Sequence, residues 1–310
     1  MARFNPFVRG LARHRIGAAL AVLGVALILT PVVTDPPVSR RPAERPPTTG
    51  DPGPTARSSP STPAIEATLR VVPPPANLPV VDYGPAPRGF PGDPAAMSTV
   101  RLGEGLRPIR RVAAYDAPGG RPRAFLAPTI SGVELTMPIV ERRSGWAGVL
   151  LPSANRTVAW VPPGPWTTVV LRDLVIVARR THRLYWFRDD ALVRSWPVTL
   201  GTPATPTPLG RTFILGKSAL PDRVYAGTEV FALGAVPDDP DAVPAGLRTA
   251  HIGLHTWYHD GELGENTTDG CIRLTRTGQE LLLAELQPGT ELLVLDRFSA
   301  PTPHVSPTSR

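Results

Sequence analysis

The spacing of apolar and polar positions changes several times along this chain, and each change marks an element or a boundary. Ile16 to Val33 is an unbroken apolar run of 18 residues, preceded by Arg3, Arg9, Arg13 and Arg15 and followed by no charge until Asp35. A helix of that length spans about 27 Å, close to the roughly 30 Å hydrocarbon core of a bilayer. The arginine-rich flank predicts an N-terminus held inside and a chain delivered outside. Residues 1–33 therefore read as a signal or anchor segment. The exit, Pro31-Val32-Val33-Thr34-Asp35, lacks a small-residue cleavage site and suits an anchor better than a cleaved peptide. From residue 34 to 97 large apolar residues thin out and prolines gather, as in Pro36-Pro37, Pro46-Pro47 and Pro73-Pro74-Pro75. A segment of that kind buries too little surface to fold, so it predicts a disordered linker with polyproline stiffness.

From 98 to 170 the pattern becomes short alternating runs cut by turns. Tyr115-Asp116-Ala117-Pro118-Gly119-Gly120 and Arg143-Ser144-Gly145-Trp146 are turn sequences, and Gly148–Leu151 and Thr157–Val161 read as strands. Some seventy residues of this kind predict a small barrel or sandwich. A second unit, 171–297, opens with three strand candidates: Asp173–Val177, Arg183–Phe187 and Leu192–Leu200, a meander. After a Pro- and Thr-rich connector, Gly201 to Gly210, comes the strand Thr212–Leu215. One helix is signalled, with Thr277-Gly278-Gln279-Glu280 as a capping box, an apolar face of Leu281, Leu282, Leu283 and Leu286, and Pro288-Gly289 as the stop. Glu291–Leu295 is the last strand, and 298–310 reads as a disordered tail. The expected fold class is mainly β.

Composition adds two limits. Forty prolines among 310 residues are well above the usual share of roughly 5%, while 42% hydrophobic residues suffice for a core. The formal charge is +7, yet Lys217 is the sole lysine and no basic cluster is interleaved with aromatics. That argues against a nucleic-acid reader. A monomer is expected.

The chemistry concentrates near the C-terminal end. Cys271 is the only cysteine, in Thr267-Thr268-Asp269-Gly270-Cys271-Ile272-Arg273, sixteen residues after His255 in Ile252-Gly253-Leu254-His255-Thr256. A lone thiol in an exported chain has no disulfide partner, and its polar flanks do not suit a merely buried small hydrophobe. A Cys–His pair fits nucleophilic catalysis, with His255 drawing the proton from Cys271. His251, Gly253 and His255 are two apart and share one face of an extended stretch. Gly270 lets the backbone present amides to an oxyanion. Arg273 either holds a substrate carboxylate or pairs with Asp269 or another acid, and the Thr268 hydroxyl shapes the loop. A zinc site built from His251, His255, His259 and Cys271, as in a zinc-dependent hydrolase, competes with this reading, but its four-residue spacing needs a helix where the pattern is strand and loop.

These residues resemble the L,D-transpeptidases of the YkuD type. That family carries a His in an Ile-Gly-Ile/Leu-His strand, then Ser/Thr-x-Gly-Cys-x-Arg/Asn about sixteen residues later; here these are Ile252–His255 and Thr268–Arg273. The opening strands from Val175 to Pro197 and the Gly-x-x-x-Thr-Pro-x-Gly-like turn at Gly201–Gly210 extend the likeness. Two departures stand out. Asp269 occupies a position where many members have His, and Thr256 follows the catalytic His where Gly or Ser is frequent. In residues 98–170, the Tyr115 turn, Gly145-Trp146 and Ala159-Trp160-Val161 resemble bacterial SH3-like domains.

The resemblance implies a YkuD-type mixed β-sandwich with one or two helices behind an SH3-like barrel. It implies Cys271 as nucleophile, His255 as base and then acid, the Gly270 and Cys271 amides as oxyanion donors, and the Thr256 backbone carbonyl as the group that orients the imidazole. It implies substrate contacts for Thr268, Asp269 and Arg273, and no metal or cofactor. The reaction implied is acyl transfer from peptidoglycan tetrapeptide stems to a second stem, giving 3→3 cross-links, or to water as an L,D-carboxypeptidase. Peptidoglycan stem peptides, and the cell membrane through residues 1–33, would be the partners, in the cell envelope outside the cytoplasm. A non-catalytic wall-binding protein that works through the SH3-like module is the alternative.

Overall fold

The computed structural model describes residues 69–84, 87–153, 156–218, 225, 227–234 and 252–300. The expected membrane segment, the first half of the linker, residues 235–251 and the tail from 301 lie outside the described residues. Among the described residues no helix is long and apolar enough to cross a membrane. The fold is mainly β, with one α-helix among the described residues.

The first nine strands are β1 (Glu104–Pro108), β2 (Val112–Tyr115), β3 (Pro122–Leu126), β4 (Thr129–Ile130), β5 (Val133–Glu134), β6 (Met137–Arg143), β7 (Trp146–Leu150), β8 (Val158–Val161) and β9 (Trp166–Val170). Seven of them form an antiparallel sheet in the order β3-β2-β8-β7-β6-β1-β9, and β4 and β5 make a short separate ribbon. The β6–β7 hairpin turns on Ser144 and Gly145, both at positive φ (48° and 79°). Two successive positive-φ residues give the turn whose twist matches its flanking strands. Trp146 and Trp160 are 1% and 5% exposed, and Trp146 meets the Tyr115 ring edge-on at 5.0 Å. They are core packing, and no indole groove opens there.

The second set is β10 (Asp173–Ala178), β11 (Arg183–Arg188), β12 (Ala191–Gly201), β13 (Gly210–Ser218), β14 (Val230–Leu233), β15 (Gly253–His255), β16 (Asn266–Thr268), β17 (Ile272–Leu274) and β18 (Glu291–Leu295). β10 to β12 form the expected meander, and β11 hydrogen-bonds both β10 and β12, so eight strands of the nine-stranded sheet close on themselves with β16 appended to β12. Within it β15 and β17 run parallel, next to one another, between β14 and β12.

The helix α1 (Arg276–Glu285) starts two residues before the capping box predicted: Thr275, not Thr277, is the N-cap, and its hydroxyl accepts the Gly278 amide at 3.2 Å. Thr275 and Thr277 lie two residues apart, and the helix uses the earlier one although only Thr277 has a Glu three residues on. From this helix the Gln279 amide donates to the Leu254 and Glu229 carbonyls, pinning α1 beneath β15.

The linker expectation needs correction for its C-terminal third. Val81, Tyr83 and Phe90 are buried at 5%, 7% and 9% exposure, between prolines that gave no strand or helix signal. Val81 and Phe125 exchange backbone bonds through Pro79 and β3 (both 2.8 Å), and Pro91 accepts from Val158 in β8. Three spaced apolar anchors and a borrowed ladder suffice to lay residues 79–93 against the sheets. One continuous apolar core joins these anchors to Leu106, Leu126 and Met137 of the first sheet and to Val175, Phe213 and Leu292 of the second.

Buried charge crosses the same junction. Arg211 donates from Nε and Nη2 to the two oxygens of Asp93 at 2.5 and 2.6 Å, with side-chain exposures of 3% and 0%. Glu291 lies close by, 1% exposed; one oxygen accepts the Leu102 amide at 3.0 Å and the other has no partner among the described residues. Burial pushes its carboxyl up from 4.5 to about 7, against the opposing pull of the Leu102 amide and the Arg211 charge. A folded-state value above the unfolded one means that stability is full below about pH 4.5 and is lost as pH rises through about 7. A gap of that size corresponds to roughly 3 kcal/mol. Denaturant melts of the parent should therefore weaken between pH 5 and 8, and Glu291→Gln should flatten that slope by accepting the same amide without a charge. Equal losses in both proteins would contradict the assignment.

Candidate active site

The register of two short strands assembles the site. β15 and β17 are parallel, with Leu254 opposite Ile272 and His255 opposite Arg273. Side chains alternate along each strand. Leu254 and Ile272, both 0% exposed, enter the core, which leaves Gly253, His255, Cys271 and Arg273 on the opposite face. The same offset sets Gly253 beside Cys271, and its amide donates to Cys271 Sγ at 3.4 Å.

Gly253 is where the thiol and the imidazole meet. A Cβ placed on it would lie 3.4 Å from His255 Cδ2, the ring carbon bonded to Nε2, and 3.9 Å from Cys271 Sγ. The other ring nitrogen, Nδ1 of His255, is 2.7 Å from the Thr256 carbonyl. A carbonyl only accepts, so Nδ1 carries the proton and Nε2 holds the lone pair. Burial lowers the His255 pKa from 6.5 to about 4, opposed by the Thr256 carbonyl and aided by the Arg273 charge. The ring is therefore neutral at pH 7. Cys271 is partly exposed as a residue, but its sulfur is buried: that burial first, and Asp269 with it, push the thiol up, while the Gly253 amide and Arg273 pull it down. At rest this is a thiol beside a neutral base, not a thiolate–imidazolium pair.

The loop before the cysteine is tied at several points. Thr268 Oγ1 donates to the Cys271 carbonyl at 2.6 Å and accepts the Gly270 amide at 3.2 Å. Thr207 Oγ1 accepts from Gly201 at 2.9 Å and reaches the Gly270 carbonyl at 3.1 Å, joining the Thr-Pro turn to the Gly-Cys turn. Gly270 sits at φ 103°, a conformation that L side chains rarely adopt. Its amide, expected to face an oxyanion, is thus occupied by Thr268. Asp269 is exposed and does not pair with Arg273. Arg273 donates instead to Glu262 at 2.8 Å and lies over the Trp257 ring at 3.7 Å. Glu262 also accepts from Thr267 at 2.7 Å, so one carboxylate holds both residues.

Several neighbours were not singled out from sequence. Trp257 and Tyr225 pack against the His255 ring at centroid distances of 6.0 and 5.0 Å. The run Trp257-Tyr258-His259 directly after the base was a readable signal; Glu262 had none, since its partner is eleven residues away across a loop. Among the described residues no three His, Cys, Asp or Glu side chains are grouped as metal ligands, and His251 lies outside them.

Comparison with known proteins bears on the segment that carries these residues. Residues 172–294 match the YkuD family, the L,D-transpeptidase catalytic domain. The YkuD match spans β10 to β18 and includes both His255 and Cys271. None of the curated proteins compared matches the chain. Among solved structures, an L,D-transpeptidase from Mycobacterium smegmatis is similar at 18% identity, covering 50% of this chain and 80% of its own, with a TM-score of 0.35. L,D-transpeptidase 3 from Mycobacterium tuberculosis is similar at 18% identity, over 46% of this chain and 75% of its own, with a TM-score of 0.33. An L,D-transpeptidase from Stackebrandtia nassauensis is similar at 18% identity, over 40% of this chain and 55% of its own, with a TM-score of 0.29.

Proposed function

We propose that this chain is a cysteine acyltransferase acting on peptidoglycan stem peptides, an L,D-transpeptidase that forms 3→3 cross-links. The observation that supports it most is the placement of the pair: His255 Nδ1 lies 2.7 Å from the Thr256 carbonyl, and the His255 ring and Cys271 Sγ both flank Gly253, inside the segment that matches the YkuD model. In this reading Nε2 takes the thiol proton as sulfur attacks the amide carbonyl between diaminopimelate and the terminal D-Ala. The Cys271 amide stabilises the oxyanion, since the Gly270 amide is engaged by Thr268. His255 then gives its proton to the leaving D-Ala amine. The amine of a second stem resolves the thioester; water in its place gives an L,D-carboxypeptidase. Arg273, fixed by Glu262 and Trp257, favours both the neutral base and the sulfur anion that forms during attack. Thr268 shapes the loop, and Asp269 and Arg273 border the stem.

The same proposal places the protein as a monomer in the cell envelope, tied to the membrane through residues 1–33, with residues 98–170 as an SH3-like module and 171–297 as the catalytic domain. Mass spectrometry of the full chain incubated with tetrapeptide stems tests the chemistry. D-Ala release with a cross-linked dimer is expected, and Cys271→Ala should lose both while keeping its fold. Release unchanged in Cys271→Ala would exclude this mechanism, and no release by the parent would exclude the substrate.

A further inference from the structure

The Pro- and Thr-rich connector between β12 and β13 holds the loop that carries Cys271 by two of its backbone carbonyls. The Thr268 carbonyl accepts the Thr202 amide at 2.9 Å and the Thr205 hydroxyl at 3.3 Å. Two residues on, the Gly270 carbonyl accepts the Thr207 hydroxyl at 3.1 Å. Thr207 is 1% exposed, and its oxygen accepts the Gly201 amide at 2.9 Å. A hydroxyl has one proton, so that of Thr207 goes to Gly270. The carbonyl oxygens of Thr205 and Pro206 lie 3.8 and 3.9 Å from where a Gly270 Cβ would stand, so the connector packs directly against the Gly-Cys turn.

The Gly270 carbonyl belongs to the same peptide unit as the Cys271 amide. That unit is trans and planar, so its N–H points opposite to its C=O. With the carbonyl turned to a buried hydroxyl, the Cys271 N–H is directed the other way. A hydrogen bond donated to the carbonyl also polarises the unit and strengthens its N–H as a donor. We propose that Thr207 is a positioning residue for the oxyanion site: through the Gly270 carbonyl it sets the direction and donor strength of the Cys271 amide. This rests on Cys271 being the nucleophile of an acyl transfer. Thr268 does not serve the same end, because its hydroxyl is engaged by the Cys271 carbonyl and the Gly270 amide, which belong to the peptide units on either side.

The test compares the full-length parent with Thr207→Val and Thr207→Ser in two reactions of the same sulfur. A carbapenem acylates it through a tetrahedral oxyanion, whereas iodoacetamide alkylates it by displacement and forms no oxyanion. Thr207→Val keeps the side-chain shape without the hydroxyl. It should be acylated about ten-fold more slowly, part of the roughly hundredfold or greater cost of losing an oxyanion donor outright, and alkylated at the parent's rate. Thr207→Ser should recover acylation. Acylation of Thr207→Val as fast as the parent overturns the proposal. So does an equal loss in both reactions, which would mean that the thiol itself is displaced. If Thr207→Val does not fold, Thr207→Ala against Thr207→Ser isolates the same oxygen atom: slower acylation of the alanine variant alone supports the role, and equal rates overturn it. A parent that is alkylated but never acylated overturns the acyl-transfer reading and this proposal with it. Neither reagent is a stem peptide, so a parent that is acylated but releases no D-Ala contradicts only the assigned substrate, and the Thr207 comparison still decides.

Discussion

Replacing Asp93 with alanine is expected to lower folding stability by about 3–5 kcal/mol. The reason is what remains. Arg211 cannot lose its proton, and its side chain is 3% exposed, so removing the carboxylate strands a guanidinium away from water. Glu291 is near enough to feel the Arg211 charge and has one unpartnered oxygen. Above pH 7 it is ionised and can partly replace Asp93; at pH 5 it is protonated and cannot. The loss should therefore be larger at pH 5. Denaturant unfolding with an unchanged slope would report it cleanly. The double variant Asp93→Ala/Arg211→Met should recover most of the loss, because no buried charge is left. A single variant within about 1 kcal/mol of the parent at pH 5 would mean that water reaches Arg211 after all.

Gly253→Ala should leave the fold intact and slow acylation of Cys271 by about a hundredfold. The added methyl would meet His255 Cδ2 at 3.4 Å, the Phe231 carbonyl at 3.5 Å and Cys271 Sγ at 3.9 Å, all ordinary contact distances. Nothing in the core needs to move. The methyl nevertheless touches both the imidazole and the thiol, the two groups between which the proposed mechanism moves a proton. Unfolding free energy should change by less than about 1 kcal/mol, and the rate of covalent labelling by a carbapenem should report the acylation. A parental labelling rate would show that the reaction does not use that space.

Much of this was readable before any coordinates. The continuous apolar runs in Asp173–Val177 and Glu291–Leu295, and the Gly253-x-His255 and Gly270-Cys271 pairs, are local signals, and local signals survive folding. The parallel register of β15 on β17 could not be read, because a parallel pair depends on what lies between its strands, not on either strand alone. The partner of Arg273 was open for the same reason: Asp269 is closer in sequence, but Glu262 is placed by the loop. Residues 79–93 show another limit. Their prolines hide the spacing of Val81, Tyr83 and Phe90, and Asp93 finds its partner 118 residues away. The capping box at Thr277 was the converse, a sound local signal passed over for Thr275, whose third following residue is Gly278.

The resting state of the thiol has a chemical corollary. Peroxides and other oxidants attack thiolates, not thiols. A sulfur that ionises only while the adjacent imidazole is taking its proton offers them little to attack between turnovers. That matters here because Cys271 is the only cysteine in 310 residues: a sulfenic acid formed on it would find no second thiol in the chain to trap it as a reversible disulfide, and would advance toward the irreversible acids. The burial that raises the thiol pKa thus also protects the only thiol the chain has.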